Sequence, residues 1–142
     1  MLLIDTNVLV YAFRVDSVDH EAYRSWLAKA MSSEQACGLA GIVAAGFVRI
    51  VTHSRIYKDP TAVDAALRFL ESMAFEPNCI LVAPGPRHWE IFARLCREAK
   101  AGGDLTPSAY LAAMAIENGA ELITTDRDFA RFTGLRRRHP LR

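Results

Sequence analysis

Three aspartates of this chain stand at positions where carboxylates could do chemistry together. Asp5 follows the apolar run 2–4, and Asp126 comes shortly after a second strand-like segment, 121–124. Asp104 lies beside two glycines, just before a proline-marked helix start. Like charges held close together raise each other's pKa, so such a cluster normally persists because a divalent cation neutralises it. An all-oxygen set of ligands favours Mg²⁺ or Mn²⁺ over zinc.

Each of these aspartates also has a purely structural interpretation. Asp5 and Asp126 could each cap the helix or turn that follows, because aspartate is a favoured N-cap residue. Asp104 could be a solvated loop residue, although Thr106 already occupies the predicted cap position of the next helix. The three aspartates taken together predict a metal site, whereas for each aspartate alone a purely structural role stays open.

Strands and helices alternate along the chain and would position these residues. We predict strands over 2–4, 37–40, 80–83 and 121–124, and a last short strand that includes Leu135. We predict helices over 8–13, after Asp19, over 41–52, from Pro60, from Trp89 to the glycines at 102–103, from Thr106 to Asn118, and over 127–132. This alternation indicates a parallel sheet with helices on both faces. Ligands of such sheets collect beyond the carboxyl ends of the strands, where Asp5 and Asp126 both fall.

Local signals define the ends of several predicted helices. Asp19 stands at an N-cap position, and Pro60 is expected in the first turn of its helix. Thr106 is expected to cap a helix whose first residue is Pro107, and the pair at 118–119 favours a left-handed end. One face of the helix after Pro60 is expected to carry a set of apolar residues: Val63, Ala66, Leu67, Leu70 and Ala74.

Composition excludes several other classes of protein. The chain of 142 residues fits one domain and is 51% hydrophobic and 23% charged, with a net charge of +1, which argues against indiscriminate coating of nucleic acid. It has no apolar run long enough to span a membrane and no signal-peptide pattern at residues 1–5. Cys37, Cys79 and Cys96 are odd in number and widely spaced, so a zinc site or disulfide framework is not expected and a reducing cytoplasm is.

Five segments of the chain, taken in order, resemble a PIN domain, and more narrowly the VapC toxins of bacterial toxin–antitoxin pairs. These segments span residues 1–9, 46–53, 84–89, 111–120 and 122–129. The resemblance covers nearly the whole chain and implies a single PIN domain over 1–142. The implied fold is a three-layer α/β/α sandwich with a central, mostly parallel sheet of four to five strands. The implied activity is that of a metal-dependent endoribonuclease that uses Mg²⁺, for which Mn²⁺ could substitute, to hydrolyse RNA phosphodiester bonds.

The resemblance carries over to individual residues only in part. Asp5 and Asp126 match two carboxylates of the family's acidic cluster. The family's usual glutamate on the third helix is replaced by Gly46, and its usual aspartate near the Thr-Pro helix start is replaced by Ser108. Asp104 stands in for the latter, so that Asp5, Asp104 and Asp126 are the expected metal-binding and catalytic residues. Side chains expected to hydrogen-bond these ligands are Thr6, Asn7, Ser108, Thr125 and Asp128.

The resemblance also implies partners. Arg14, Arg49 and Arg127 are candidate RNA contacts because guanidinium groups suit phosphate, and residues 136–142 form a basic terminus. A VapB-type antitoxin would hold the toxin inactive, through a groove between the early helices to which exposed members of the set Tyr11, Tyr23 and Trp26 could contribute. A homodimer is expected, with a heterotetramer or a larger assembly in the presence of antitoxin.

Two other functions compete with an endoribonuclease toxin. The first is a catalytically weakened PIN-fold protein that binds antitoxin or RNA without efficient cleavage, which the residues at Gly46 and Ser108 motivate. The second is a phosphotransfer or phosphatase domain with Asp5 as nucleophile. That chemistry requires an Asp-x-Asp pair at the nucleophile or a well-placed lysine. The chain has only three lysines, Lys29, Lys58 and Lys100, so this second function is less favoured.

Overall fold

The computed structural model describes all residues from 1 to 142. It contains five strands: β1 (Leu2–Ile4), β2 (Cys37–Ala40), β3 (Cys79–Val82), β4 (Glu121–Ile123) and β5 (Arg137–Arg138). It contains six helices: α1 (Thr6–Phe13), α2 (His20–Met31), α3 (Gly41–Val51), α4 (Val63–Ala74), α5 (His88–Ala99) and α6 (Thr106–Glu117). Two short 3₁₀ turns cover Gly103–Leu105 and Arg127–Arg131. None of the six helices is both long enough and apolar enough to cross a membrane.

The five strands form one parallel sheet in the order β3-β2-β1-β4-β5. The central strand β1 is buried along its length, as expected for a strand covered by helices on both faces. Leu2 is paired with Cys37 of β2 on one side and with Glu121 of β4 on the other. The chain order reverses at β1, and this reversal places the carboxyl ends of β1 and β4 side by side, where parallel sheets bind ligands. The predicted three-layer α/β/α fold is thereby confirmed.

The core lies between the sheet and the helices on its two faces. Every side chain of β1 and half of those of α1 are buried in it. Along α6 the buried positions are rich in alanine, including Ala109, Ala112 and Ala113. Small side chains at these positions let α6 pack closely against β4.

Strand ends differ slightly from the sequence prediction. Strand β3 begins at Cys79 and excludes Ala83, and β4 ends one residue earlier than predicted, at Ile123. The prediction that the last strand includes Leu135 is wrong. The Leu135 N–H donates to the Phe132 carbonyl oxygen (3.3 Å) within a turn, so pairing with β4 begins only at Arg137.

Three predictions at helix starts are confirmed only in part or are corrected. Asp19 occupies the N-cap position of α2 as predicted, but its backbone is left-handed (φ 58°) and its side chain makes no capping hydrogen bond. Pro60 lies outside α4, because the next residue, Thr61, donates its N–H to the Val51 carbonyl oxygen (2.8 Å) and belongs to the loop. Thr106 is the first residue of α6 rather than its cap, since its hydroxyl donates to the Ala101 carbonyl oxygen (2.9 Å).

Other local predictions have mixed outcomes. Pro107 lies in the first turn of α6, and Gly119 adopts the predicted left-handed conformation (φ 61°) after the helix end. On α4, Ala66 and Leu70 are buried as predicted. Val63, Leu67 and Ala74 are exposed instead, because the buried stripe of this helix consists of Ala66, Leu70 and Met73.

Candidate active site

Asp5 is a buried carboxylate at the junction of β1 and α1. Its side chain is 7% exposed, and its Oδ1 accepts a hydrogen bond from the Thr6 N–H (2.7 Å) at the start of α1. Its Oδ2 accepts a hydrogen bond from the Thr124 hydroxyl (2.7 Å). The structural interpretation therefore holds for Asp5, which does cap α1. The cap leaves each carboxylate oxygen with further acceptor capacity on the side that faces solvent.

The surroundings of Asp5 make its ionised form costly. Burial raises the pKa of this carboxyl above its ordinary value, and the hydrogen bonds from Thr124 and Thr6 lower it only in part. The negative charge of Asp126 raises the pKa further. A buried carboxylate beside a second carboxylate is the arrangement that a bound cation would stabilise.

Thr124 connects the two acidic positions and was missed by sequence reasoning, which named Thr125 instead. Thr124 is 4% exposed, donates its hydroxyl proton to Asp5 and accepts a hydrogen bond from the Asp126 N–H (3.0 Å). The signal that could have identified Thr124 is its place directly after β4, at the edge beside Asp5. Asp126 in turn accepts a hydrogen bond from the Asp128 N–H (2.9 Å) and caps the turn at 127–131.

Asp5 and Asp126 line one open cavity of about 430 Å³ between α1, α3 and α6. Three of the residues that were predicted to support the carboxylates, Thr6, Asn7 and Ser108, also line it. Its floor and walls are completed by Gly46, Arg49 and a set of mostly apolar side chains: Ile42, Val43, Ala45, Ile50, Pro107, Leu111 and Phe129.

A second cavity of about 260 Å³ lies on the other side of Asp126. It shares Asp126 and Ser108 with the first cavity and is lined in addition by Gly102, Asp104, Leu105, Asp128 and Arg131. The structure thus brings Asp5 and Asp126 to one cavity and places Asp104 in the next. No three side chains of the His, Cys, Asp or Glu type come close enough together to enclose a metal ion.

Position 46 faces the Asp5 end of the first cavity. A Cβ atom added at Gly46 would lie 3.3 Å from the Thr6 hydroxyl oxygen, so a side chain there would pack against the start of α1. An acidic residue at this point would add a carboxylate to the cavity. Gly46 and Ser108 therefore leave the first cavity with two carboxylates.

Two carboxylates are sufficient to hold one hydrated Mg²⁺ ion. Mg²⁺ usually keeps several waters and is bound by one or two protein carboxylates together with substrate phosphates. The oxygen donors that line the first cavity, Asp5 and Asp126 with the side chains of Asn7 and Ser108, fit such a hydrated ion. The donor set contains no thiol or imidazole that would favour zinc.

The predicted RNA-contact arginines have different surroundings. Arg49 lines the first cavity, whereas Arg127 is exposed and lines neither cavity. Arg14 is engaged elsewhere, since its guanidinium pairs with Asp16 (2.6 Å) and lies 3.9 Å from the centre of the Tyr57 ring. Thr125 lines neither cavity. Arg131, which lines the second cavity, was not among the sequence candidates.

A separate apolar groove of about 520 Å³ lies between α1, α2 and α4. Its apolar lining is formed by Ala12, Phe13, Val15, Leu27, Ala28, Met31, Phe69 and Met73, and its polar lining by His20, Glu21, Arg24, Ser72 and Glu76. Tyr11, Tyr23 and Trp26, which were expected to contribute, do not line it. Tyr23 is a buried core residue, and the partly buried Tyr11 packs against its ring at a centroid distance of 5.1 Å.

Comparisons with known proteins agree with this fold. The PIN domain family matches residues 2–135 of the chain. Ribonuclease VapC43 of Mycobacterium tuberculosis is 41% identical over 141 residues, which cover 99% of this chain and 96% of that protein. VapBC2 from Rickettsia felis, bound to a DNA fragment from its promoter, has a chain with a TM-score of 0.70 and 19% identity, with 97% of both chains covered. The structure of M. tuberculosis VapC20, a sarcin-ricin loop cleaving toxin, matches with a TM-score of 0.65 and 15% identity, covering 96% of this chain and 99% of that one.

Proposed function

This chain belongs to the PIN domain family and, within it, to the VapC ribonucleases, and from that premise we propose that it is a metal-dependent endoribonuclease and the toxin of a VapBC-type pair. The observation that carries the proposal is the pair of carboxylates, Asp5 and Asp126, in one cavity at the carboxyl edge of the sheet. We propose that residues 1–142 act as a single PIN domain. The place of action would be the cytoplasm, where its RNA substrate is found.

In this proposal the carboxylates of Asp5 and Asp126 hold one Mg²⁺, for which Mn²⁺ could substitute. When bound, such an ion lowers the pKa of a coordinated water and neutralises charge that develops on the phosphoryl oxygens. Asp5 is held in one orientation by its two hydrogen bonds to Thr6 and Thr124. Asn7 and Ser108 supply further oxygen and amide groups to position water at the same place.

The other polar residues of the site serve to place the RNA. Arg49 is exposed at the rim of the first cavity and forms no ion pair with the protein, so its guanidinium is free to bind a phosphate in bidentate fashion. Asp104 would act on the reacting centre through water, because it lines the neighbouring cavity. RNA loops and single strands are the expected substrates, since their bases are accessible to protein side chains.

A catalytically weakened binding protein is less favoured than an active nuclease. Gly46 and Ser108 remove two of the family's usual carboxylates, but the two that remain satisfy what Mg²⁺ ordinarily takes from a protein. The hydrogen bonds that orient Asp5 would serve no purpose beyond capping in a protein that had lost its chemistry. The same Thr124 contact joins Asp5 to Asp126 and preserves their spacing.

We further propose that a VapB-like antitoxin binds the apolar groove between α1, α2 and α4. The groove is lined by the exposed Val15 and the half-buried Phe69 and carries both acidic and basic side chains at its rim, including Glu21, Arg24 and Glu76. An amphipathic helix suits such a groove, because its apolar face is buried and its polar face meets the charged rim. A homodimer of this chain, which with antitoxin becomes a heterotetramer or larger assembly, completes the proposal.

The experiment that tests the activity is cleavage of a structured RNA by the purified chain. We expect cleavage with Mg²⁺ or Mn²⁺, and its loss with EDTA or in the Asp5→Asn variant, which keeps the size of the side chain but removes its charge. Asp64→Asn is the matched control, because Asp64 forms an exposed ion pair with Arg68 on α4 (3.1 Å), remote from both cavities. Cleavage that persists in Asp5→Asn would overturn the proposed site, and absence of cleavage by the unmodified chain would overturn the activity.

A further inference from the structure

The second cavity holds one cation, Arg131, among three carboxylates. Arg131 is the last residue of the 3₁₀ turn at 127–131, and its exposed side chain lines the cavity together with Asp104, Asp126 and Asp128. An arginine beside carboxylates would ordinarily pair with one of them. Arg131 takes part in none of the seven ion pairs of the structure, so its guanidinium is available to an outside anion.

Arg131 and Arg49 lie on the two sides of the acidic pair. Arg49 lines the first cavity and Arg131 the second, and the two cavities adjoin each other because Asp126 and Ser108 line both. The two free guanidinium groups therefore flank the carboxylate of Asp126 from neighbouring cavities. Both arginines are on regular elements, α3 and the turn at 127–131, so their backbones are fixed relative to Asp126.

A polyanion that crosses an acidic site needs cations at both sides of it. The carboxylates of Asp104, Asp126 and Asp128 repel phosphates, and only Arg131 offsets that repulsion within the second cavity. The planar fork of a guanidinium also fixes the direction from which a phosphate is bound. An RNA strand held by Arg49 alone would be free to rotate about that contact, and the reacting phosphodiester bond would not be fixed in orientation.

We propose that the second cavity is a subsite for an RNA backbone phosphate adjacent to the one that is cleaved, and that Arg131 binds this phosphate. This inference rests on the proposed ribonuclease function and extends it, since it names the contact that sets the direction of the RNA chain across the site. Arg131 is a substrate-positioning residue that does not take part in the bond-breaking step.

The test measures how salt weakens binding of a labelled single-stranded RNA oligonucleotide of mixed sequence. Binding is followed by fluorescence anisotropy in the Asp5→Asn background, so that the RNA stays intact. Each phosphate contact on single-stranded nucleic acid contributes about 0.7 to the slope of log affinity against log salt concentration. We expect Arg131→Gln to reduce this slope by about 0.7, and Arg131→Lys, which keeps the charge, to retain most of it.

Arg97→Gln is the matched control, because Arg97 is exposed on α5, forms no ion pair and lines neither cavity. We expect its salt slope to equal that of the parent chain. An unchanged slope in Arg131→Gln, or an equal reduction in Arg97→Gln, would overturn the inference. Melting temperatures of all variants should agree, since neither arginine is bonded to the protein.

Cleavage kinetics separate failure of this inference from failure of the proposed function. With Asp5 intact, Arg131→Gln should raise KM several-fold while kcat changes little, since the contact is made to bound RNA before and during the reaction. If the unmodified chain cleaves RNA and Arg131→Gln has the same KM, the subsite is wrong and the ribonuclease stands. If the unmodified chain cleaves no RNA, the proposed function fails, and the salt slopes alone decide whether Arg131 binds phosphate.

Discussion

The hydroxyl of Thr124 satisfies two groups at once, because it donates to the Asp5 carboxylate and accepts from the Asp126 N–H. Thr124→Val keeps the shape of the side chain and removes both hydrogen bonds. We expect RNA cleavage to fall about 10- to 100-fold, the range typical when a partner of a metal-binding residue is lost. We also expect the free energy of unfolding to drop by about 1–3 kcal/mol, since buried polar groups are left unpaired.

Thr124→Ser is the control, because serine keeps the hydroxyl and loses only a methyl group. It should retain most of the cleavage rate in the same assay, and thermal unfolding should separate the stability loss from the catalytic loss. Equal rates for the valine and serine variants would show that the hydroxyl does not position Asp5.

Among individual residues, the carboxylates of the site were more predictable from the sequence than their hydrogen-bond partners. The positions of Asp5 and Asp126 follow from topology alone, since each comes directly after a strand of a parallel sheet. Which of two adjacent threonines turns inward depends on the register of β4 against β1, which composition does not reveal. The place of Arg131 depends likewise on a short 3₁₀ turn whose course is set by the Asp126 cap.

At the element scale, the approach of β2 to its neighbours depends on Gly38. A Cβ atom added there would lie 2.9 Å from Val82 Cγ2 and 3.0 Å from Leu3 Cδ1, and both of those side chains are buried. Gly38→Ala should therefore destabilise the protein by about 1–3 kcal/mol, the usual cost of overpacking a core. Urea unfolding measures the change.

Gly41, at the start of α3, provides the comparison for Gly38. A Cβ atom added at Gly41 meets nothing within 4 Å, so Gly41→Ala should leave the stability unchanged or slightly raised. Equal urea midpoints for the Gly38 and Gly41 variants would contradict the packing argument for β2.

A carboxylate clamp joins the end of α6 to the loop between β3 and α5. Glu117 accepts hydrogen bonds from the backbone N–H groups of Gly85 and Arg87, each at 2.8 Å. Desolvation alone would raise the pKa of Glu117, but these donors outweigh it and hold the pKa below its ordinary value. A carboxyl group with a lowered folded-state pKa stabilises the protein above its unfolded-state pKa, and that stability is lost as the pH falls through the folded value.

We therefore expect Glu117→Gln to lower the melting temperature at neutral pH, because an amide cannot accept at both positions. The difference from the unmodified chain should stay constant down to about pH 5 and shrink below about pH 4, where the unfolded carboxyl protonates and the folded one follows. Melting curves at several pH values measure this. A difference that is independent of pH would mean that the charge of Glu117 contributes nothing to the clamp.

The existence of elements was predictable because apolar periodicity reports burial, whereas their ends depended on individual hydrogen bonds. All five strands and six helices have counterparts in the sequence prediction, although the last strand was misplaced. The errors at Pro60 and Thr106 have a common cause. Near Pro60, the Thr61 N–H donates to the Val51 carbonyl oxygen, and the Thr106 hydroxyl donates to the Ala101 carbonyl oxygen. Both acceptors lie outside the helix that follows, and local helix propensity carries no information about such partners.

At the scale of the whole molecule, the net charge of +1 conceals an uneven distribution. Residues 131–142 contain five arginines and no acidic residue, so the preceding 130 residues carry 12 basic against 16 acidic groups. Part of the basic segment is structural, since Arg138 pairs with Glu121 (2.9 Å) and Arg136 donates to the Gly119 carbonyl oxygen, which fastens β5 beside β4. Of the remaining arginines of this segment, Arg131 lines the second cavity beside the carboxylates, where its charge can attract RNA without coating the protein with it.

The apolar groove and the carboxylate cavity are lined by different residues, so antitoxin binding and RNA cleavage should be separable by mutation. Val15 is 84% exposed and lines the groove, and Val18 is 83% exposed but does not. Because neither side chain is buried, an aspartate at either position should cost little folding stability. The two residues lie in the same loop between α1 and α2, which makes them a matched pair.

We expect Val15→Asp to weaken binding of a VapB-like antitoxin encoded beside this chain at least tenfold, about 1.4 kcal/mol, because a charge would be buried against the apolar face of the antitoxin. Val18→Asp should bind it as the unmodified chain does, and both variants should cleave RNA at the unmodified rate when antitoxin is absent. Titration calorimetry gives the affinities, and the RNA assay gives the rates. Equal weakening by both substitutions would place the antitoxin elsewhere, and loss of cleavage in Val15→Asp alone would mean that the groove and the active site are coupled.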